Sequence, residues 1–218
     1  MVKMTTEAQF SNNDFQDVVL HRQSVRKFDP TVKIELAELQ AMIDEATSAP
    51  SACNLQSWHF VVAASDAGKA KAKQLLMPFN YPQVETCSVM IFILGDTESH
   101  LVYRDVWNKA CEDGRISAEK RDQIFKTFLP LYENASPAFL KMDATIDSSM
   151  AAMQLLLVAR AHGYDANPIA GYAADKVAVT FDLDPQRYVP VMAVAIGKAA
   201  AEPITTTRYA GTEVTEFI

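Results

Sequence analysis

In the stretch HRQSVRKFDP, His21 to Pro30, the residues Arg22, Ser24 and Arg26 alternate with others. In an extended chain, residues two apart project to the same side. Two guanidinium forks and a hydroxyl would then face one partner, and that donor set matches the oxygens of a phosphate monoester. A solvated turn with local ion pairs to Asp17 or Asp29 explains the same residues without any ligand. A second stretch, APSACNLQSWHFVV from Ala49 to Val62, places Asn54 and Gln56 two apart just before an apolar run. Their amides carry paired donors and acceptors. Aimed at one partner, they suit a flat heteroaromatic ring with amide-like edges. An Asn/Ser turn leading into a strand is the simpler alternative.

The elements that must position these residues are readable in outline. Asn13 or Asp14 can cap a short helix through about Leu20. Residues 35–47 carry Leu36, Leu39, Met42, Ile43 and Ala46 at helical spacing, and Pro50 stops that helix. The run 58–64 alternates and is rich in β-branched and aromatic residues, as a strand is. Residues 66–77 read as a helix with lysines outward. CSVMIFILGD (87–96) is an unbroken apolar run, the pattern of a strand buried on both faces. Residues 98–112 and 116–130 read as two polar-faced helices, and 137–162 as the longest helix, closed by Gly163. ADKVAVTFDL gives one more helix, and YVPVMAVAIG (188–197) a second buried strand. Helices interleaved with a few strong strands predict an α+β fold with the sheet sandwiched between helices. The segment after Gly197 keeps Ile204, Tyr209, Val214, Phe217 and Ile218, which predicts that it packs on something, such as a second subunit.

Charge and composition exclude several classes. With 20 Lys+Arg against 27 Asp+Glu, the formal net charge is −7. A nucleic-acid partner needs a basic face, and an anionic membrane surface repels an acidic chain. The three cysteines, Cys53, Cys87 and Cys111, lack paired spacing, so neither a disulfide framework nor structural zinc is expected. The N-terminus has no signal-peptide core and no stretch is apolar enough to span a membrane, so a soluble cytoplasmic protein is expected. No GxGxxG, P-loop, GxSxG or HExxH occurs, and His21, His59, His100 and His162 are dispersed.

Together, RQSVRKF (22–28) and APSACNLQSWHFVV (49–62) resemble the nitroreductase family of FMN-dependent oxidoreductases. FNYPQVETCSVMIFI (79–93), NPIAGY (167–172) and VPVMAVAIGKA (189–199) follow in the family's order, so the resemblance spans roughly residues 13 to 210. It implies a single nitroreductase-like domain over 1–218, folded as a three-layer sandwich with a central, mostly antiparallel sheet. It also implies a homodimer joined through the long helix, with a C-terminal arm, about 198–218, exchanged between subunits. Two FMN molecules would lie at the interface.

Carried over by position, the resemblance assigns Arg22, Gln23 and Ser24 to the FMN phosphate and ribityl chain. Arg26 would approach the pyrimidine edge, where a cation favours the reduced anionic ring. Arg208 would close the phosphate site. Asn80 and Gln83 would touch the ring edge, beside Asn54 and Gln56. Pro50, Ser51 and Ala52 would come from the other subunit. In the element Pro168, Ile169, Ala170, Gly171, the last two would lie over the ring with N–H groups towards N5. No catalytic side chain is implied: NAD(P)H reduces the flavin and leaves, and a nitroaromatic or quinone then takes its place. The alternatives within the resemblance are an enone reductase, a dehalogenase or a flavin-fragmenting enzyme, or a non-catalytic flavin-binding regulator.

The chain departs from the family pattern at three positions. Ser57 stands where proline is usual, which is expected to loosen the turn. Gln83 stands where many relatives have lysine, and Ala170 where some have glutamate. Cys53 reads as a small semi-buried residue, and Tyr172, Phe128 and Trp107 as core or interface rather than as a substrate mouth.

Overall fold

The computed structural model describes residues 10–218. Residues 1–9, part of the N-terminus read above as lacking a signal core, lie outside the described residues. The elements are α1 (Phe15–Leu20), α2 (Leu36–Ala46), β1 (Trp58–Ala63), α3 (Asp66–Leu75), α4 (Tyr81–Thr86), β2 (Val89–Asp96) and α5 (Tyr103–Glu112). They continue with α6 (Ala118–Thr127), α7 (Leu129–Glu133), α8 (Pro137–Ala161), β3 (Asp165–Ile169), α9 (Ala174–Thr180) and β4 (Tyr188–Gly197).

The four strands form one antiparallel sheet in the order β1-β2-β4-β3. Side chains of successive strand residues point to opposite faces, and here both faces are covered. Met90, Phe92, Leu94, Ala193 and Ala195 pack with Leu75, Val84 and Val177 from α3, α4 and α9. Val89, Ile91, Ile93, Val194 and Ile196 pack with Leu39, Met42 and Leu155 from α2 and α8. This is the expected α+β three-layer sandwich, and it explains why β2 has no polar face.

The caps follow sequence chemistry. Asp14 accepts the Asp17 N–H at 3.1 Å and starts α1. Ser136 accepts the Phe139 N–H at 3.2 Å and starts α8, and Gly163 ends it in a left-handed conformation, φ 84°. The C-terminal end of α8 is stapled to α2, because His162 meets Glu38 at 3.2 Å and Glu45 at 2.9 Å. Tyr164 adds a bond to Glu38 at 2.9 Å.

Two features differ from the sequence reading. The helix expected over 116–130 is two helices, α6 and α7, with the break at Phe128. Pro130 has no N–H to donate back to Lys126 and cannot continue α6. β3 was not anticipated, since DANPI contains Asp165, Asn167 and Pro168, all poor strand formers. It forms at the sheet edge, where a proline is tolerated.

Helices α5, α6 and α7 make a side lobe with its own small core of Tyr103, Ile124, Leu129 and Tyr132. Leu55, from the loop before β1, inserts into that core. Beyond Gly197 the chain first runs beside the basic loop, with Asp29 donating to Lys198 O at 2.8 Å and Ala200 to Lys27 O at 3.0 Å. From Ile204 onward its large apolar side chains are exposed.

Candidate cofactor site

The basic loop is anchored as an extra ribbon on β3. Val25 donates to Ala166 O at 3.1 Å, and Asn167 Nδ2 donates to Val25 O at 2.9 Å. Ser24 is bridged in parallel to Ala166. Val25 and Phe28 are buried, while Gln23, Ser24 and Arg26 face outward.

Arg22, Gln23, Ser24 and Arg208 line one cavity of about 380 Å³, together with Leu20, Ile204, Thr205 and Thr206. The Nη1 of Arg22 is buried there and has no hydrogen-bond partner. Burial pushes its guanidinium below the ordinary value, and the charges of Arg208 and Arg160 push the same way. A buried donor without a partner costs roughly 1–3 kcal/mol, more when charged. An anion between Arg22 and Arg208 would remove both penalties, so these residues fit a phosphate. Behind them Arg160 is already committed, donating to Asp17 at 2.9 and 3.0 Å and to Asp165 at 3.3 Å. Arg160, with Asn12 and His21, holds the Asp17 carboxyl down at about 2.

Because the loop runs parallel to β3, Arg26 lies further along, towards the Ile169 end. It turns to the carbonyl of Phe79, with Nη2 at 2.5 Å. Next to it Asn80, nearly buried, donates to Gly171 O at 3.0 Å, and Gln83 Nε2 approaches Asn80 Oδ1 at 3.3 Å. The Oε1 of Gln83 is buried without a partner, a second polar atom the protein leaves open. Gly171 is needed for this fit, since a Cβ there would stand 2.7 Å from Asn80 Nδ2 and 2.9 Å from Phe79 Cζ. Pro168 is half-buried and Ala170 exposed, but the Ile169 side chain is in the core, so only its backbone can face a ligand. Ala166 and Ile169 are three residues apart, roughly 10 Å along the strand. The strip thus has a cationic end at Arg22 and Arg208 and an amide end at Asn80, Gln83 and Gly171.

The loop carrying Pro50, Ser51, Ala52, Asn54 and Gln56 lies elsewhere. β1 and β3 are opposite edges of the sheet, about 14 Å apart at three strand spacings. Trp58 is level with Val189 and Ala166 with Ile196, roughly 20 Å along β4. The two clusters therefore occupy opposite corners, roughly 25 Å apart at the Arg22 end of the strip and roughly 19 Å at its Ile169 end.

That second loop is a turn, the simpler alternative named for Asn54 and Gln56. Ala52–Asn54 is a 3-10 turn, and Cys53, Asn54 and Gln56 have φ of 49°, 59° and 53°. Such left-handed backbone is strained for residues other than glycine. Exposure still alternates: Asn54 and Gln56 face out, Leu55 and Ser57 in. Ser57 does not loosen the turn. Its N–H donates to Asp147 at 3.4 Å, its hydroxyl meets Ser99 at 2.7 Å, and its carbonyl accepts from Ser148 at 2.9 Å. Asp147 and Ser148 are contacts that sequence reasoning missed. The available signal was two polar residues on the inward stripe of α8, amid Ala144, Ala151, Ala152 and Leu155.

Of the three aromatics, Tyr172 belongs to the main core and Trp107 packs in the side lobe, as read from sequence. Phe128 is exposed at the break between α6 and α7. No group of three or more metal-ligating side chains exists among the described residues. No helix among them is long and apolar enough to cross a membrane.

Residues 19–198 match the Nitroreductase family over most of the chain. The chain belongs to the nitroreductase family. It is 64% identical over 207 residues to the CLA biosynthesis enone reductase of Lactiplantibacillus plantarum, covering 95% of each chain. A candidate NAD(P)H nitroreductase of Bacillus subtilis, YdgI, is 41% identical over 190 residues, 87% of this chain and 90% of that one. Among solved structures, the crystal structure of CLA-ER, an enone reductase of gut-bacterial fatty acid saturation metabolism, matches with a TM-score of 0.88 at 64% identity. That match covers 95% of this chain and 99% of that one. A candidate nitroreductase from Exiguobacterium sibiricum in complex with FMN matches with a TM-score of 0.91 at 39% identity, over 97% and 100% of the chains.

Proposed function

We propose that this member of the nitroreductase family is an FMN-dependent NAD(P)H oxidoreductase whose acceptor is a conjugated enone. The observation that carries the cofactor is the unpartnered, buried Arg22 Nη1 facing Arg208 and Ser24, at one end of a strip that ends in the Asn80–Gly171 amides. FMN, when bound, supplies two-electron transfer from NAD(P)H to an acceptor, one after the other at the same place. Arg22, Gln23, Ser24 and Arg208 hold the phosphate end, with Arg26, Asn80, Gln83, Ala170 and Gly171 at the ring end. The protein's part is position and electrostatics, so no side chain of this chain acts as nucleophile.

The enone reading rests on the 64% identity to an enone reductase across 95% of the chain. Overall the enone gains one hydride and one proton and becomes a saturated ketone. A nitroaromatic or quinone acceptor is the second reading, favoured by the relationship to a candidate NAD(P)H nitroreductase.

The site is built by two copies. Pro50, Ser51, Ala52, Asn54 and Gln56 are assigned to the cofactor held by another subunit, because they lie across the sheet from the Arg22 corner of their own chain. Two apolar surfaces favour such a dimer: the outer stripe of α8, with Phe139, Met142, Ile146 and Met153 exposed, and the tail from Ile204 to Ile218. β1 leaves one edge of the sheet unpaired, and an exchanged arm would cover it.

Anaerobic titration tests the scheme. Purified protein loaded with FMN should bleach with NADH or NADPH and recover colour with an acceptor. Initial rates against both substrates should give parallel double-reciprocal lines, and kcat/KM should be higher for a long-chain enone than for menadione or a nitrobenzoate. A higher value for the nitro compound or quinone would select the second reading. Protein that cannot be loaded with FMN would remove the cofactor assignment.

A further inference from the structure

Asp147 stands in the middle of α8 with its side chain wholly buried. No cation pairs with it among the described residues. A buried carboxylate in that position is expensive, and a leucine would fill the space without the penalty. What it does instead is accept two backbone N–H groups, Ala52 at 2.9 Å and Ser57 at 3.4 Å. These two bonds bracket the left-handed residues Cys53, Asn54 and Gln56. Within the bracket, Gln56 N–H is taken by Ser51 Oγ at 3.0 Å. Outside it, Ser148 ties Ser57 O and Leu94 O together at 2.9 and 3.0 Å. The turn is thus held to the long helix at both ends while its two amides face away.

Ser57 makes the second bond possible. The usual proline at this position has no N–H and could not donate to Asp147. In this chain the Ser57 N–H and the buried acid therefore act together.

We propose that Asp147 is a positioning residue for the cofactor site, holding residues 52–57 in the left-handed turn that presents Asn54 and Gln56 to the FMN of a second copy of the chain. This rests on the FMN reading above. Asp147 itself touches no cofactor, so its effect is transmitted through the Ala52 and Ser57 N–H groups. Asp143 lies one turn earlier on α8, and burial together with the Asp147 charge pushes its carboxyl up.

Two measurements on the full chain decide it. The first is amide hydrogen exchange of the FMN-free protein. In Asp147→Ala the Ala52 and Ser57 amides should exchange at least tenfold faster, with the β2 and β4 amides unchanged. Asp147→Asn, which keeps one acceptor oxygen in place, should recover most of the Ala52 protection, and it carries the test if the alanine variant does not fold. The second is FMN titration by quenching of flavin fluorescence, where Asp147→Ala should weaken binding at least fivefold and shift the visible absorption band. Unchanged exchange at Ala52 and Ser57 would overturn the proposal. So would equal acceleration across β2 and β4, which means general loosening, or faster loop exchange with wild-type FMN affinity and spectrum. Failure of the wild-type protein to bind FMN would instead strike the cofactor reading, and the exchange measurement would still report whether Asp147 holds the turn.

Discussion

Arg22 keeps a buried guanidinium nitrogen without a partner, and Gln83 a buried amide oxygen. At the opposite corner of the sheet, Ala52, Gln56 and Ser57 all give their N–H groups to side chains, and the Ser57 hydroxyl and carbonyl are taken too. The first region leaves buried polar side-chain atoms unpaired. The second is strained in backbone, and the N–H groups that bracket the strain are paired. On the FMN reading the difference is a division of labour: one corner would hold the charged phosphate, and the other is shaped in advance to meet the cofactor of a second copy.

The largest expected effect breaks the incomplete corner. Arg22→Ala removes a charge-assisted phosphate contact worth roughly 1.5–3 kcal/mol, so FMN affinity should fall roughly 10- to 100-fold. The FMN-free variant should melt no lower than wild type, because an unpartnered guanidinium beside Arg208 is lost. Fluorescence titration and a melting curve check the two halves, and equal FMN affinity in variant and wild type would deny Arg22 its role.

Next comes the ring end. Gly171→Ala places a methyl 2.7 Å from Asn80 Nδ2 and should push Asn80 off the Gly171 carbonyl. Overpacking of this kind costs about 1–3 kcal/mol. The variant should bind FMN more weakly while Arg22, Ser24 and Arg208 stay in place, which is visible as a changed flavin spectrum with phosphate binding retained. A wild-type spectrum would show that Asn80 does not face the ring.

A smaller effect is expected at the completed corner. Ser57→Ala deletes the 2.7 Å contact to Ser99 and leaves that buried hydroxyl unpaired, a loss of about 1 kcal/mol in denaturant unfolding. Its N–H to Asp147 survives, so FMN affinity should fall less than when that N–H is lost. Ser57→Pro removes the N–H as well and should weaken FMN binding. Equal affinities for the two variants would mean that the second backbone bond does not matter.

How much of this was legible in the chain follows from where the information lies. The period-2 and helical patterns that built the sandwich are local, so β1, β2, β4 and α8 could be read directly. β3 could not, because its strand state comes from pairing with β4 rather than from its own residues. Arg22, Ser24 and Asn80 were legible as a set only through resemblance to a family. Their order along one strip required the parallel bridge from Ser24 to Ala166. A turn was legible as the simpler alternative at Asn54, but its run of left-handed residues was not, since Cys53 and Gln56 adopt that backbone against their own preference. Asp147, far away in sequence, ties down the Ala52 and Ser57 amides that bracket them.

The smallest expected effect separates Arg22, at the cationic end, from Arg160, which lies behind it. Arg22 is unpaired, whereas Arg160 behind it is bound to Asp17 and Asp165. Asp17 has its carboxyl lowered from 3.8 to about 2, chiefly by the hydrogen bonds from Arg160 and then Asn12. A lowered carboxyl stabilises the fold above the unfolded value, and that contribution is lost as the proton returns. Stability should therefore drop as pH falls from 3.8 towards 2, over and above the loss from other acids. Arg160→Gln removes the main cause, so its deficit relative to wild type should be full at pH 5 and shrink near pH 2. Chemical denaturation across that range checks the sign. A deficit that stays constant with pH would mean that Arg160 supports the cradle by packing alone, and that its charge is as free as that of Arg22.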